Sequence, residues 1–221
     1  MRTSSDDVLI MSDTERRNRP PEKIAGKSPV TWGIPQPHLL EEFSQVLQEA
    51  QDEGPLQRFF ETSPIALLTG LLRPHTAWVI SHPRLGKPDF TGWVPDFILC
   101  DWSSLGPQWL IVELESPRRN PAISKGLSAT CNHAVQQIND YRTYLRDNSA
   151  FLRAEGFGDI HCECQGIVVI GRRSDRNRER QRARLEALRR DRIEIMSYDR
   201  LLDECRLMQE VVAGLRGSGE N

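Results

Sequence analysis

Two apolar runs either side of one cluster of turn formers constrain this chain more than any other stretch. Residues 94–101 read Val-Pro-Asp-Phe-Ile-Leu-Cys-Asp, and residues 109–115 read Trp-Leu-Ile-Val-Glu-Leu-Glu. Residues 103–108 between them, Ser-Ser-Leu-Gly-Pro-Gln, are turn formers, so the whole reads as a β-hairpin. A hairpin symmetric about that loop sets Asp96 opposite Glu115 and Ile98 opposite Glu113. Strand residues two apart share a face, so Asp96, Glu113 and Glu115 all project from one side. Acids near strand ends are usually just solvated. Here, however, 109–114 is too apolar for a loop, and a Glu within it breaks the buried-strand pattern. Such breaks concentrate at functional sites. Three carboxylates held this close repel, and a hard divalent cation neutralises them with the oxygen ligands it prefers.

The rest of the chain supplies elements to bury that hairpin. Apolar residues at Leu40, Phe43, Val46 and Leu47 predict a helix over 39–50. Gly54-Pro55 starts a second helix, which closes at Ser63-Pro64, and 65–72 continues as a third. Residues 77–81 are a strand, followed by a Gly- and Pro-rich loop over 82–92. After the hairpin come a loop over 116–127 and a long helix over 128–148, with Ala134, Ile138, Tyr141 and Leu145 on one stripe. The β-branched run at 166–170 predicts a buried strand. An Arg-rich helix over 177–190, a strand over 192–196 and a last helix over 198–213 complete the order. This is an α/β chain with a small mixed central sheet flanked by helices. The expected organisation is an irregular, proline-rich arm over 1–38, one domain over 39–213 and a frayed end over 214–221.

Composition narrows the function classes. With 221 residues, 27% charged and 38% hydrophobic, the chain can bury one substantial core. No apolar stretch approaches the roughly 20 residues of a membrane span. The first residues lack the apolar core of a secretory signal. The five cysteines are scattered in apolar or helical context, which suggests reduced thiols and a cytoplasmic protein. His161-Cys162-Glu163-Cys164 has no second ligand pair to complete a zinc site. Net charge is −2, yet residues 172–192 hold ten arginines against four acids, or about +6 in one ridge. That ridge is either a solvated, salt-bridged helix or a strip facing a polyanion.

Gln137 and Tyr141 lie one turn apart on the long helix, sharing a face. In order, Pro95-Asp96, Glu113-x-Glu115 and Gln137-x-x-x-Tyr141 resemble the PD-(D/E)xK nuclease superfamily, in its RecB-like branch with a Gln-x-x-x-Tyr helix. More closely, the chain resembles the Shedu anti-phage nuclease family, over about 54–205. The similar stretches are 56–64 (Leu-Gln-Arg-Phe-Phe-Glu-Thr-Ser-Pro), 94–99, 112–117, 134–141 and 195–202.

That resemblance implies a restriction-endonuclease-like core and a cytoplasmic endonuclease that cuts DNA with Mg2+ or Mn2+. It implies metal ligands at Asp96 and Glu113, a phosphate- or nucleophile-orienting Gln137, and Tyr141 in support. Glu115 stands where the family usually has lysine. It could ligate the metal, with Asp96 and Glu113 completing the set, or take a proton from water. A cation could instead come from Arg118, Arg119, Lys125 or Lys87. Phosphate contacts are expected from Arg118, Arg119, Lys125, Arg172, Arg173, Arg176 and Arg180, and two-strand cutting would suit a homo-oligomer. The competing readings are an inactive nuclease fold that binds nucleic acid or a partner, and an unrelated α/β domain.

Overall fold

A computed structural model describes residues 20–30, 33–72, 77–86, 94–104, 106–124, 126–173 and 188–217. Five strands form one sheet in the order β1 (Ala77–Ser81), β2 (Phe97–Ser103), β3 (Gly106–Leu114), β6 (Gln165–Val169) and β7 (Ile193–Met196). The first three are antiparallel, while β6 and β7 run parallel to β3, so the sheet is mixed. A two-stranded hairpin, β4 (Ala122–Ile123) with β5 (Gly126–Leu127), interrupts what the sequence reads as a loop.

Helices cover both faces. On one side lie α1 (Pro37–Glu49), α2 (Gly54–Thr62), α3 (Pro64–Leu71) and α6 (Tyr198–Gly217). They pack on Phe97, Leu99, Leu110, Val112, Leu114, Ile167 and Val169. On the other side, α4 (Ala129–Asp147) and the short α5 (Ser149–Ala154) cover Ile98, Cys100, Trp109, Ile111 and Val168. The central strands are therefore buried on both faces, which is why their sequences are continuous apolar runs instead of alternating ones. Ser128 caps α4 by accepting from the Cys131 N–H at 3.1 Å. The buried stripe Cys131, Ala134, Ile138, Tyr141 and Leu145 follows the helical period. A Cβ at Gly166 would lie 2.6 Å from Ile138, so the glycine lets α4 settle onto β6.

The sequence missed α5, and it ended the last helix four residues short of Gly217. The Arg-rich helix expected over 177–190 falls mostly outside the described residues. Part of the N-terminal arm is described: Ile24 is buried, and Val30 bridges to Ala77 at the edge of β1. Among the described residues, no helix is long and apolar enough to cross a membrane.

Arg142 ties the two parallel strands to α4. Its guanidinium donates to the carbonyls of Cys164 (2.7 and 3.1 Å), Asp191 (2.8 Å) and Arg192 (2.9 Å). Truncation would leave three carbonyls without their charged donor. We expect Arg142→Ala to cost about 2–3 kcal/mol in urea unfolding. Arg142→Lys should recover less than half, because an ammonium lacks the planar fork; a loss under about 0.5 kcal/mol would show the clamp to be idle.

Candidate active site

The hairpin forms, but in a tighter register than its loop suggests. Strands extend to Ser103 and Gly106, which pair directly, so the turn is two residues instead of six. Gly106 takes φ +97, and the Ser103 hydroxyl donates to the Gly106 carbonyl at 3.0 Å. The last pair is Phe97 with Val112. One step further along that register, Asp96 stands opposite Glu113, not Glu115. The shift is by two residues, so side-chain parity survives and Asp96 and Glu113 remain on one face.

Glu113 is the most constrained of the acids. It is 5% exposed and sits in a strand whose other five C-terminal residues are apolar. The Tyr141 hydroxyl and the Asp96 N–H hydrogen-bond its carboxylate, while Oε1 has no hydrogen-bond partner among the described residues. Burial first, then the Asp96 charge, pushes its carboxyl up to about 8. Tyr141 in turn hydrogen-bonds Gln137 and lies 3.5 Å from the Val94 carbonyl. Gln137, Tyr141, Glu113 and Asp96 thus form one connected chain of polar groups.

Asp96 is held from two directions. Its Oδ2 accepts from the Leu114 N–H at 2.7 Å, and its carbonyl accepts from the His82 N–H at 2.9 Å. Burial raises its carboxyl above the usual range. Glu115 extends the acidic group without touching it. Burial, then the charges of Glu53 and Asp96, push it up to about 7. Its backbone is fixed by the Val169 carbonyl (2.8 Å) and by the Tyr198 hydroxyl (2.8 Å). Among the described residues, no three His, Cys, Asp or Glu side chains are arranged to hold one metal ion. The structure therefore brings Asp96 and Glu113 together and leaves Glu115 as a near neighbour.

Several neighbours escaped the sequence reading. Glu53, just before α2, and Gln57 and Glu61 within it recur every four residues, and all three act on the Asp96 region. Glu53 and Glu61 bear on the Asp96 charge. Gln57 is 8% exposed, its Nε2 sits 3.3 Å from Glu61 Oε1 and 3.5 Å from the Asp96 carbonyl, and its Oε1 is unpartnered among the described residues. That polar stripe was legible as a second four-residue repeat flanking Leu56, Phe59 and Phe60. His82 had no such signal, lying in a Gly- and Pro-rich loop.

The basic residues fare differently. Arg118 donates from Nε to the Ala50 carbonyl (2.9 Å) and from Nη2 to Gln48 (2.5 Å), satisfying the open C-terminal end of α1. Arg172 makes a two-pronged pair with Asp199 (2.8–3.1 Å) and donates to the Leu47 carbonyl at 3.3 Å. Arg173 pairs with Asp203. Each of these three is thus engaged within the fold, at a helix end or at an acid near the start of α6. Arg119 is exposed and has no side-chain partner among the described residues. Lys87, Lys125, Arg176 and Arg180 lie outside the described residues.

A family model described as "Shedu protein SduA, C-terminal" matches residues 50–202, which spans α2 through the first turn of α6 and holds Asp96, Glu113 and Glu115. No curated protein matches the chain.

Proposed function

The chain belongs to the Shedu SduA C-terminal family, and on that footing we propose that it is a metal-dependent nuclease hydrolysing DNA phosphodiester bonds in anti-phage defence. Its mixed five-stranded sheet with helices on both faces is read as a restriction-endonuclease-like PD-(D/E)xK core. One observation carries the reading: a buried glutamate on the central strand presents an oxygen with no partner among the described residues, close to the charge of a second carboxylate, Asp96. A buried acceptor left this way costs free energy unless a donor or cation meets it, so the donor set fits a hard divalent ion.

Asp96 and Glu113 would hold Mg2+ or Mn2+, with Glu115 alongside; such an ion polarises a phosphoryl oxygen and lowers the pKa of bound water. Leu114 fixes Asp96 through Oδ2, which leaves Oδ1 directed elsewhere. Tyr141 holds Glu113, and Gln137 holds Tyr141, so the α4 face sets the carboxylate's direction before substrate arrives. Arg119 is the described cation best placed to meet a phosphate near the loop after β3.

The test is nicking of supercoiled plasmid with Mg2+ or Mn2+. Wild type should cut, and Glu113→Ala should lose at least about a thousandfold. A second reading, a nuclease fold that binds DNA or a partner without cutting, has two observations in its favour. Glu115 occupies the lysine position, and no three-ligand cluster exists among the described residues. Clean wild type that binds DNA in a salt-dependent way without cleaving it would establish that reading. Glu115→Lys then separates roles: kept or raised cleavage means the position needs charge, and lost cleavage means Glu115 is a ligand or base.

A further inference from the structure

We propose that His82 is a further catalytic residue of this site, its Nε2 accepting a hydrogen bond from the water that attacks the phosphodiester. The inference rests on the nuclease reading and adds a residue to it. His82 follows β1 and adopts φ +45, a left-handed conformation that few non-glycine residues enter, although histidine does so more often than most. Strain of this kind persists only where surrounding contacts impose it. Here the His82 N–H is bound to the Asp96 carbonyl at 2.9 Å, so the imidazole is carried on the same backbone junction as a proposed metal ligand.

The ring's orientation is also fixed. Nδ1 lies 3.0 Å from Glu61 Oε1 and 3.3 Å from the Ser81 hydroxyl. The same Glu61 oxygen accepts from Ser81 Oγ at 2.7 Å and from Gln57 Nε2 at 3.3 Å. The Ser81 bond first, then the Gln57 bond and the His82 ring beside it, hold Glu61 below its usual carboxyl range against the cost of burial, so it stays an acceptor. A carboxylate oxygen this close requires a hydrogen on Nδ1. In the neutral ring the lone pair must then sit on Nε2, which is the opposite of the tautomer a free histidine side chain favours. The side chain is 52% exposed, so the ring away from Glu61 is not enclosed by the fold.

An acceptor there orients a water without needing the lysine that Glu115 replaces. The water oxygen forms the new bond to phosphorus as the P–O ester bond breaks. The proton that water gives up and the one taken by the leaving oxygen exchange through solvent, so charge and atoms balance. Glu61 acts through His82 and is a positioning residue, as is Ser81.

Two measurements test this. In metal-free, nitrogen-labelled protein near pH 8.5, two-bond 1H–15N spectra should show His82 protonated at Nδ1 and not at Nε2. The signal is identified by its loss in His82→Gln, and Glu61→Ala should move it toward the Nε2–H form. In the plasmid assay, His82→Ala and His82→Asn should each lose roughly a hundredfold. His82→Gln puts an amide oxygen near the Nε2 position and should retain about tenfold more activity than His82→Asn. DNA binding, read by fluorescence anisotropy, should stay within about threefold for all variants. An Nε2–H tautomer in the wild type, or cleavage by His82→Ala within about threefold of wild type while Glu113→Ala is dead, overturns this role alone. Wild type that cuts nothing overturns the nuclease reading and this inference with it.

Discussion

Metal-free protein should melt at a higher temperature near pH 5 than near pH 8.5, and Glu113→Gln should shrink that difference, the remainder coming from Asp96 and Glu115, whose carboxyls are raised too. The Glu113 carboxyl is raised from 4.5 to about 8 by burial and by the Asp96 charge. A raised carboxyl binds its proton more tightly in the folded state than in the unfolded chain. Its contribution is therefore complete below the unfolded value near 4.5 and is lost as pH rises through about 8. For a side chain 5% exposed, that loss is on the order of 3 kcal/mol. Glutamine keeps the shape without the ionisation, so at high pH the variant should be the more stable protein. Adding Mg2+ or Mn2+ at pH 8.5 should raise the wild-type melting temperature and leave Glu113→Gln nearly unmoved. Parallel melting curves for the two proteins across this range, with and without metal, would show that Glu113 is not a strained carboxyl awaiting a cation.

Gly171→Ala should be the most destabilising single methyl added to the described fold. Gly171 has φ +71, and an added Cβ would lie 2.2 Å from the Arg119 carbonyl oxygen and 3.6 Å from Pro121. The obstacle is backbone on a segment pinned from both sides. Gly171 donates to the Ser116 carbonyl at 3.2 Å, and its own carbonyl accepts from the Tyr198 N–H at 3.2 Å. Left-handed strain and overpacking together should cost about 3–5 kcal/mol, or roughly 10 °C in melting temperature for a domain of this size. The displaced segment begins right after Glu115, whose carbonyl is held by Tyr198. Cleavage by whatever fraction remains folded should therefore fall as well. A loss under about 1 kcal/mol would mean that the loop after β3 can slide freely, and that Glu115 is not rigidly placed.

The helix and strand order was legible because both periodicities are strong here. Leu40, Phe43 and Leu47 mark α1, and the unbroken apolar runs of β2, β3 and β6 announce strands covered on both faces. What escaped notice was short or polar: β4, β5 and α5 bury too few side chains to leave a pattern. The internal partners of the arginines escaped notice for a related reason. Composition counts charges, but it cannot see that Arg118 reaches the end of α1 or that Arg172 meets Asp199 across 27 positions of chain.

By itself, then, the sequence determined which residues could gather. Strand parity alone makes Asp96 and Glu113 share a face under either turn, and one helical turn aligns Gln137 with Tyr141. Only the tertiary structure decided the register, the join between Tyr141 and Glu113, and the arrival of Glu53, Gln57, Glu61 and His82 from elements far away in the chain. Local periodicity fixes the direction in which a side chain points relative to its own element. How close it comes to another depends on turn length, helix seating at Gly166 and the burial that sets each charge, and those belong to the packed whole.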